Sequence, residues 1–163
     1  MATGDIFESL AKLCEYTVAD HVSDVKEFMI GAKQTVGFGP RVPSAEERLL
    51  RAKLIYEECM ETIEALGVDH ILGRFIDAGE ENYDPVKVLD GVCDIAVVAD
   101  GTLVACGLDS VYPEALERVN NNNLTKVGPK ARWREDGKLL KPGDYKPVEL
   151  NDLIEKATNG NRD

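Results

Sequence analysis

The chain has 163 residues, a length typical of one domain that can bury a core without disulfides. Hydrophobic residues make up 44% of it and charged residues 30%, and the formal net charge is −11. A protein that binds nucleic acid through phosphates needs excess positive charge, and aromatic residues, at 6%, are too few for a broad base-stacking surface. The composition therefore excludes a general nucleic-acid binder.

The cysteines form no C-x-x-C pair, which disfavours a zinc knuckle or a dithiol redox site. They are Cys14, Cys59, Cys93 and Cys106. Each lies in an apolar helical pattern, where a cysteine is expected to be a small core residue. The first residues show no basic segment followed by an apolar run, and no stretch is long and uncharged enough for a typical membrane span. We therefore expect a cytoplasmic protein with reduced thiols and no membrane partner.

Apolar spacing predicts two helices at the start of the chain, over residues 5–19 and 23–32. Ser23 is the expected N-cap of the second. Residues 35–43 hold two glycines and two prolines, a composition typical of a loop. The helical pattern is therefore expected to pause there.

Ser44, with Glu47 three residues later, has the spacing of a capping box and predicts the start of a long helix. Its apolar pattern continues over residues 45–66, and Gly67 is expected to end it. A shorter helix is predicted near residues 68–78.

The dipeptide Asp84-Pro85 is typical of a helix start, because proline fits the first helical turn. The helix that it opens is predicted to extend to Cys106 and to end at Gly107. A last short helix is predicted over residues 113–120.

The character of the sequence changes after residue 123. Asp136-Gly137 predicts a two-residue hairpin turn within residues 130–140. The tail that follows is polar and is expected to be frayed, with three residues that could pack: Leu150, Leu153 and Ile154. The whole pattern predicts one all-α domain, a four-helix-bundle-like core over about 20–127 with a basic C-terminal extension, hairpin or irregular, over 128–163.

One face of the helix over 45–66 is acidic. At about 100° per residue, its glutamates share about a third of the circumference; they are Glu57, Glu58, Glu61 and Glu64. The apolar stripe lies roughly opposite and consists of Ala52, Ile55, Cys59, Ile63 and Leu66. A solvated surface helix would show the same pattern. Clustered like charges, however, cost stability unless something positive lies between them.

The helix over 85–106 is apolar at nearly every angle, which predicts burial on all sides. Asp90 and Asp94 lie one turn apart on it, and a buried carboxylate is costly unless a cation compensates it. Pairing with a basic side chain, or with the helix N-terminus for Asp90, is the alternative to a metal.

Together the two helices offer only oxygen ligands, which suit a hard cation, Mg²⁺ first and Mn²⁺ second. The candidate ligands are Glu57, Glu58, Glu61, Asp90 and Asp94. Several carboxylates could hold two or more ions once a substrate is bound. Metal ions would then bridge this acidic protein to a polyphosphate.

Three blocks of the sequence resemble the all-α nucleotide pyrophosphohydrolases, which include MazG-type, dimeric dUTPase-type and phosphoribosyl-ATP pyrophosphohydrolase-type proteins. The first is the E-E-x-x-E pattern of Glu57, Glu58 and Glu61, and the second runs from Leu89 through Asp94 to Gly107. The third comprises residues 123–126 and 134–141, similar to phage and bacterial members of the phosphoribosyl-ATP branch. The resemblance spans roughly residues 25–150.

The resemblance implies a helical bundle, a homodimer or homotetramer, with Mg²⁺ held by Glu57, Glu58, Glu61 and Asp94. The family commonly has an acid three residues before its last aspartate. That position is Gly91 here, and Asp90 precedes it. Glu64 has no counterpart and is expected to be at the surface.

A basic segment follows the acidic helices. Between Gly128 and Pro147 there are six basic residues against three acids. We expect either a flap that contacts phosphates, across a subunit boundary if the chain is oligomeric, or a solvated hairpin. The candidate substrate contacts are Asn123, Lys126, Lys138, Lys141 and Tyr145. Asn123 could equally cap a turn, Tyr145 could stack on a base or anchor the tail, and His21 and His70 are expected to be incidental.

The predicted reaction is Mg²⁺-dependent hydrolysis of a nucleoside triphosphate to monophosphate and pyrophosphate, with a glutamate accepting the proton of the attacking water. Candidate substrates are dGTP or GTP, dUTP and dCTP, in nucleotide-pool control or dNMP supply in a bacterial cell or phage-infected host. Phosphoribosyl-ATP is an alternative substrate. The rival from another class is a non-catalytic helical assembly module whose acidic face is solvated.

Overall fold

The computed structural model describes residues 17–127, 129 and 131–160. It is about 60% helical, and the predicted all-α class is confirmed. Its elements are α1 (Val18–Gly31), α2 (Ala45–Ala65), β1 (Val68–Ile71), β2 (Arg74–Asp77), α3 (Pro85–Cys106), α4 (Tyr112–Leu124) and α5 (Asn151–Asn159). Short 3₁₀ turns at Glu80–Asn82 and Asp109–Val111 precede α3 and α4. Most of the helix expected over 5–19, with Cys14, falls outside the described residues.

The two long helices begin and end as predicted. Ser44 and Glu47 form a capping box at the start of α2, in which the Glu47 backbone donates to the Ser44 hydroxyl at 3.2 Å. Asp84 caps α3 by accepting hydrogen bonds from two backbone N–H groups of its first turn. Gly107 ends α3 with φ of 69°, in the left-handed region that favours glycine.

The predicted N-cap at Ser23 is wrong. α1 begins five residues earlier, at Val18, and Thr17 and Asp20 form its capping box. Ser23 lies in the middle of the helix. Two capping residues compete in this stretch, and the one with an acid three residues later satisfies two orphan N–H groups instead of one.

The helix predicted near residues 68–78 is also wrong. β1 and β2 form an antiparallel hairpin there, in which Ile71 pairs with Arg74. The connecting residues Leu72 and Gly73 both have positive φ, the geometry of a type I′ turn. The sequence lacks the Asn-Gly or Asp-Gly signal of that turn. The spacing of its apolar residues is compatible with a helix as well as with a strand.

The C-terminal part is more ordered than predicted. α4 extends four residues beyond the expected end at residue 120. Trp133 and Leu139 form a β-bridge around a turn that ends at Gly137, whose φ is 81°. The tail expected to be frayed forms α5, in which Leu153 is only 1% exposed. An ion pair from Arg118 of α4 to Asp152 joins the two helices.

The core lies between α1 and the C-terminal half of α3. Val22, Val25 and Met29 pack there against Val104 and Ala105. The predicted loop over 35–43 crosses the end of α3, where the Gly37 backbone donates to the Val104 carbonyl at 2.9 Å. This packing leaves the N-terminal half of α3 to face α2.

His21 makes a contact within the fold, away from the predicted site residues. Its Nδ1 lies 2.6 Å from the carboxylate of Asp100, which is buried in α3. The pair links α1 to α3 and gives the buried carboxylate of Asp100 a polar partner. Nothing in the spacing of these two residues, 79 positions apart, signals the contact.

The prediction that α3 is buried on all sides is wrong. One of its faces is apolar and exposed; we call it the outer stripe, and it consists of Leu89, Val92, Cys93, Ala96 and Ala99. Leu89 is 68% and Val92 53% exposed. Cys93 is likewise exposed, in contrast to the core position predicted for it. An apolar composition predicts burial, but it does not say whether the same chain provides the cover.

In the described part of the chain, no single helix combines the length and the apolar character needed to cross a membrane. Only α3 and the residues Asp109–Leu124, taken together across a bend of 113°, meet that test of length and composition.

Candidate metal centre

The candidate site lies where α2 and α3 pack side by side. Thr62 of α2 faces Gly91 of α3 so closely that a Cβ at residue 91 would lie 2.3 Å from the Thr62 hydroxyl oxygen. Glycine therefore lets the two backbones approach, and a side chain here would push them apart. Glu58, one turn before Thr62, and Asp94, one turn after Gly91, are carried to the same seam by the helical repeat.

An open cleft with a volume of about 1120 Å³ runs along this seam beside the β-hairpin. We call it the acidic cleft, because carboxylates dominate its lining: Glu61, Glu64, Asp69, Glu81, Asp84, Asp90 and Asp94. Lys87 is the basic side chain among its lining residues. Carboxylates from both helices thus face one space, as the sequence predicted for Glu61, Asp90 and Asp94.

The pKa of Glu58 reflects the charges around it in the site. Its pKa is raised above the ordinary 4.5, first because partial burial penalises the charged form and then because four other carboxylates repel it. In decreasing order of effect these are Asp94, Glu61, Glu57 and Asp90. The other four predicted ligands therefore all act on Glu58, and within the described residues none of the five forms an ion pair with a basic side chain.

The five carboxylates do not contribute equally. Glu58 and Asp94 are partly buried, whereas Glu57, Glu61 and Asp90 are exposed. Glu57 does not line the acidic cleft, although its charge reaches Glu58. Across residues 17–127, 129 and 131–160, no group of three or more acidic, histidine or cysteine side chains is arranged so that it could hold a metal ion by itself. Mg²⁺ commonly takes only one or two carboxylates and keeps its other positions for water and substrate phosphate, so an all-oxygen, open set fits it.

Four of the five candidate substrate contacts meet in a separate cluster at the end of α4. Lys126 Nζ donates to the Asn123 side chain at 2.6 Å. The ammonium groups of Lys126 and Lys141 lie 5.1 and 5.0 Å from the centre of the Tyr145 ring. Lys138 is exposed on the hairpin that precedes them. None of the five lines the acidic cleft of its own chain.

Several cleft residues were missed by sequence reasoning. Asp69 and Glu81 reach the cleft only because residues 68–77 form a hairpin that folds back beside α2, and that hairpin was predicted as a helix. Glu64 was expected to be a surface residue; it is exposed, and it also lines the cleft. Lys87 lies one turn before Gly91 on the same face of α3, so helical spacing alone could have indicated it.

Comparison with models of known protein families and with curated proteins gives no match for this chain.

Replacing Glu58 with Gln is expected to stabilise the metal-free protein at neutral pH. A carboxyl whose pKa is higher in the folded chain destabilises the fold when it ionises. That penalty is absent below the unfolded value near 4.5 and complete above the folded pKa. With a chelator present, Glu58→Gln should therefore raise the melting temperature at about pH 8, by about 2–4 °C per kcal/mol of relieved repulsion, and change it little near about pH 4.

The matched control is Glu27→Gln, which removes the same charge from an exposed position of α1. It should leave the melting temperature nearly unchanged at both pH values. A Glu58→Gln protein that is less stable than the parent at about pH 8 would show that this carboxylate is compensated rather than repelled.

Proposed function

We propose that this protein hydrolyses a nucleoside triphosphate to the monophosphate and pyrophosphate with Mg²⁺, or Mn²⁺ in its place. The observation that carries the proposal is the convergence of carboxylates from α2 and α3 on one seam, where four of them repel Glu58. A fold maintains such a cluster against its cost when a cation relieves it. An acidic protein can in turn hold a polyphosphate through such cations.

Different residues of the site would bind the metal, accept a proton and contact the phosphates. Glu58, Glu61 and Asp94 would hold Mg²⁺ at the seam, with Glu57 and Asp90 at its edge. When bound, Mg²⁺ supplies the positive charge that the phosphates and the departing pyrophosphate require. One of Glu57, Glu58 and Glu61 would accept the proton of the attacking water. Lys87, in the same cleft, is placed to meet phosphate charge.

The substrate candidates are dGTP or GTP, dUTP and dCTP, and the role would be nucleotide-pool control or supply of a monophosphate. Phosphoribosyl-ATP, the alternative substrate, carries the same phosphoanhydride. The non-catalytic assembly module requires Asp94 to be paired with an arginine. In the described part of the chain the carboxylate of Asp94 has no such ion pair, which favours the enzyme.

The reaction is tested by incubating the protein with each ribo- and deoxyribonucleoside triphosphate and Mg²⁺ and separating the products. We expect monophosphate and pyrophosphate in equal amounts. Asp94→Asn should lower kcat/KM by about 100-fold or more, because it removes a charged ligand of the Mg²⁺ that would stabilise the reacting phosphates. Glu27→Gln, remote from the seam, should retain full activity. Release of orthophosphate and a diphosphate, or no turnover of any nucleotide, would contradict the proposal.

We further propose that the active form is a homo-oligomer, a dimer or a tetramer. The outer stripe of α3 is exposed, and α2 adds the exposed residues Leu49, Ala52 and Tyr56. Exposed apolar side chains on two neighbouring helices are typical of a protein–protein interface. Such an association would also allow the cluster of Asn123, Lys126, Lys141 and Tyr145 to reach a site on the neighbouring subunit.

The oligomer is tested by sedimentation velocity on the parent and on Leu89→Glu. The parent should sediment as a dimer or tetramer, and the variant as a monomer. A carboxylate buried in an apolar interface costs several kcal/mol, which is comparable to the free energy of association. Val18→Glu is the control, since it places the same charge at an exposed position in the first turn of α1. A parent protein that is monomeric throughout the accessible concentration range would contradict this part of the proposal.

A further inference from the structure

A second, smaller cavity lies on the other side of the carboxylates from the acidic cleft. It has a volume of about 230 Å³, and it extends between α1 and the seam of α2 and α3. We call it the inner cavity. Its walls are mainly apolar, from residues such as Phe28, Met29 and Val97. Pockets for whole drug-sized ligands run to about 300–1,000 Å³, so this cavity suits one planar ring system rather than a complete nucleotide.

Arg51 is the unusual residue of the inner cavity. Its side chain belongs to α2 and is only 8% exposed, and burial lowers the pKa of its guanidinium. Nη2 donates to the Gln34 side-chain oxygen at 2.8 Å and lies 4.0 Å from the Met29 sulfur. Among the described residues no carboxylate forms an ion pair with Arg51. Glu47, one turn earlier on α2, attracts the guanidinium of Arg51 electrostatically, but its carboxylate forms its ion pair with Arg41.

The geometry around Arg51 leaves donors available to a ligand. Its Nη1 stands in front of Gly101 of α3, where an added Cβ would lie 3.0 Å away. Within the described residues, Nη1 and Nε make no hydrogen bond to the protein, and the same holds for the amide nitrogen of Gln34. A turn in which Lys33 has positive φ brings Gln34 back over the end of α1. The polar end of the inner cavity therefore presents N–H donors that make no hydrogen bond to the described protein groups and remain accessible to water or a ligand.

The inner cavity connects this donor end to the carboxylates. Glu58 and Asp94 line it together with Arg51 and Gly101. Arg51 and Glu58 are seven residues apart on α2, as are Asp94 and Gly101 on α3, which corresponds to about 10 Å along each helix. A ligand with phosphates at the carboxylates and a ring at Arg51 would thus lie along the seam.

We infer that the inner cavity binds the nucleobase, and that Arg51, held by Gln34, selects guanine over adenine. Guanine presents two adjacent acceptors, O6 and N7, to which an arginine donates with two parallel hydrogen bonds. Adenine places an amino donor at the position of O6, which would face the guanidinium donors. Phe28 lines the cavity, yet 60% of it is exposed, so its ring can stack on the base. The inference rests on the proposed function for the position of the phosphates.

The test is calorimetric binding of dGMP and dAMP to the full chain with Mg²⁺, which needs no hydrolysis. The parent should bind dGMP roughly 5- to 150-fold more tightly than dAMP, the discrimination expected of one such arginine contact. Arg51→Met removes the donors and should bring the ratio close to one. Lys53→Met removes a charge from an exposed position of the same helix and should keep the parent's ratio.

Gln34→Glu covers the case in which Arg51→Met does not fold. The new carboxylate would pair with the guanidinium and occupy its donors, so the preference for dGMP should again be lost while Arg51 stays in place. Equal or tighter binding of dAMP by the parent, unchanged preference in both variants, or no binding of either nucleotide would overturn the inference. A dGMP preference in a protein that hydrolyses no triphosphate would keep the inner cavity as a guanine site and remove the proposed reaction.

Discussion

The repulsion among carboxylates at the seam of α2 and α3 is the constraint on which the rest of the account depends. Glu58 and Asp94 are brought together by the close approach of the helices at Gly91. Two helices that packed only for stability would place apolar side chains at such a contact. Here the seam carries carboxylates that repel one another. Favourable interactions elsewhere in the fold, or a bound cation, must offset the free energy of that repulsion.

The apolar residues of these helices lie largely on the outside. Leu89 and Val92 of α3 and Tyr56 of α2 are exposed, whereas Arg51, Thr62 and Asp100 are among the buried residues. The proposed oligomer would cover the exposed apolar residues of this helix pair, and the proposed metal site would use the carboxylates at its seam.

The sequence predicted those features that are encoded by neighbouring residues. The boundaries of α2 and α3 follow from Ser44 with Glu47, from Asp84-Pro85 and from Gly107, because caps act over three or four residues. Helical spacing likewise placed Glu58 and Asp94 on facing surfaces. The hairpin over 68–77 could not be recognised, since its turn is Leu72-Gly73 and its apolar pattern has no clear period.

Contacts between distant residues were beyond the sequence. The pair of His21 with Asp100, and the approach of Gln34 to Arg51, depend on how α1 packs against α2 and α3. The exposure of the outer stripe also could not be predicted. An apolar helix has the same sequence pattern whether its own chain or another copy covers it. The cluster of Lys126, Lys141 and Tyr145 could be proposed from the sequence as a substrate-binding element. Its position relative to the cleft could not be predicted, because that position depends on contacts between distant parts of the chain.

Locating bound Mn²⁺ by anomalous diffraction from crystals of the protein tests the central claim most directly. We expect an anomalous peak between α2 and α3, with carboxylate oxygens of Glu58, Glu61 or Asp94 at about 2.0–2.2 Å, close to the distances typical of Mg²⁺. Crystals grown with Mn²⁺ that show no peak at the seam, while these carboxylates point to solvent or to basic side chains, would contradict it.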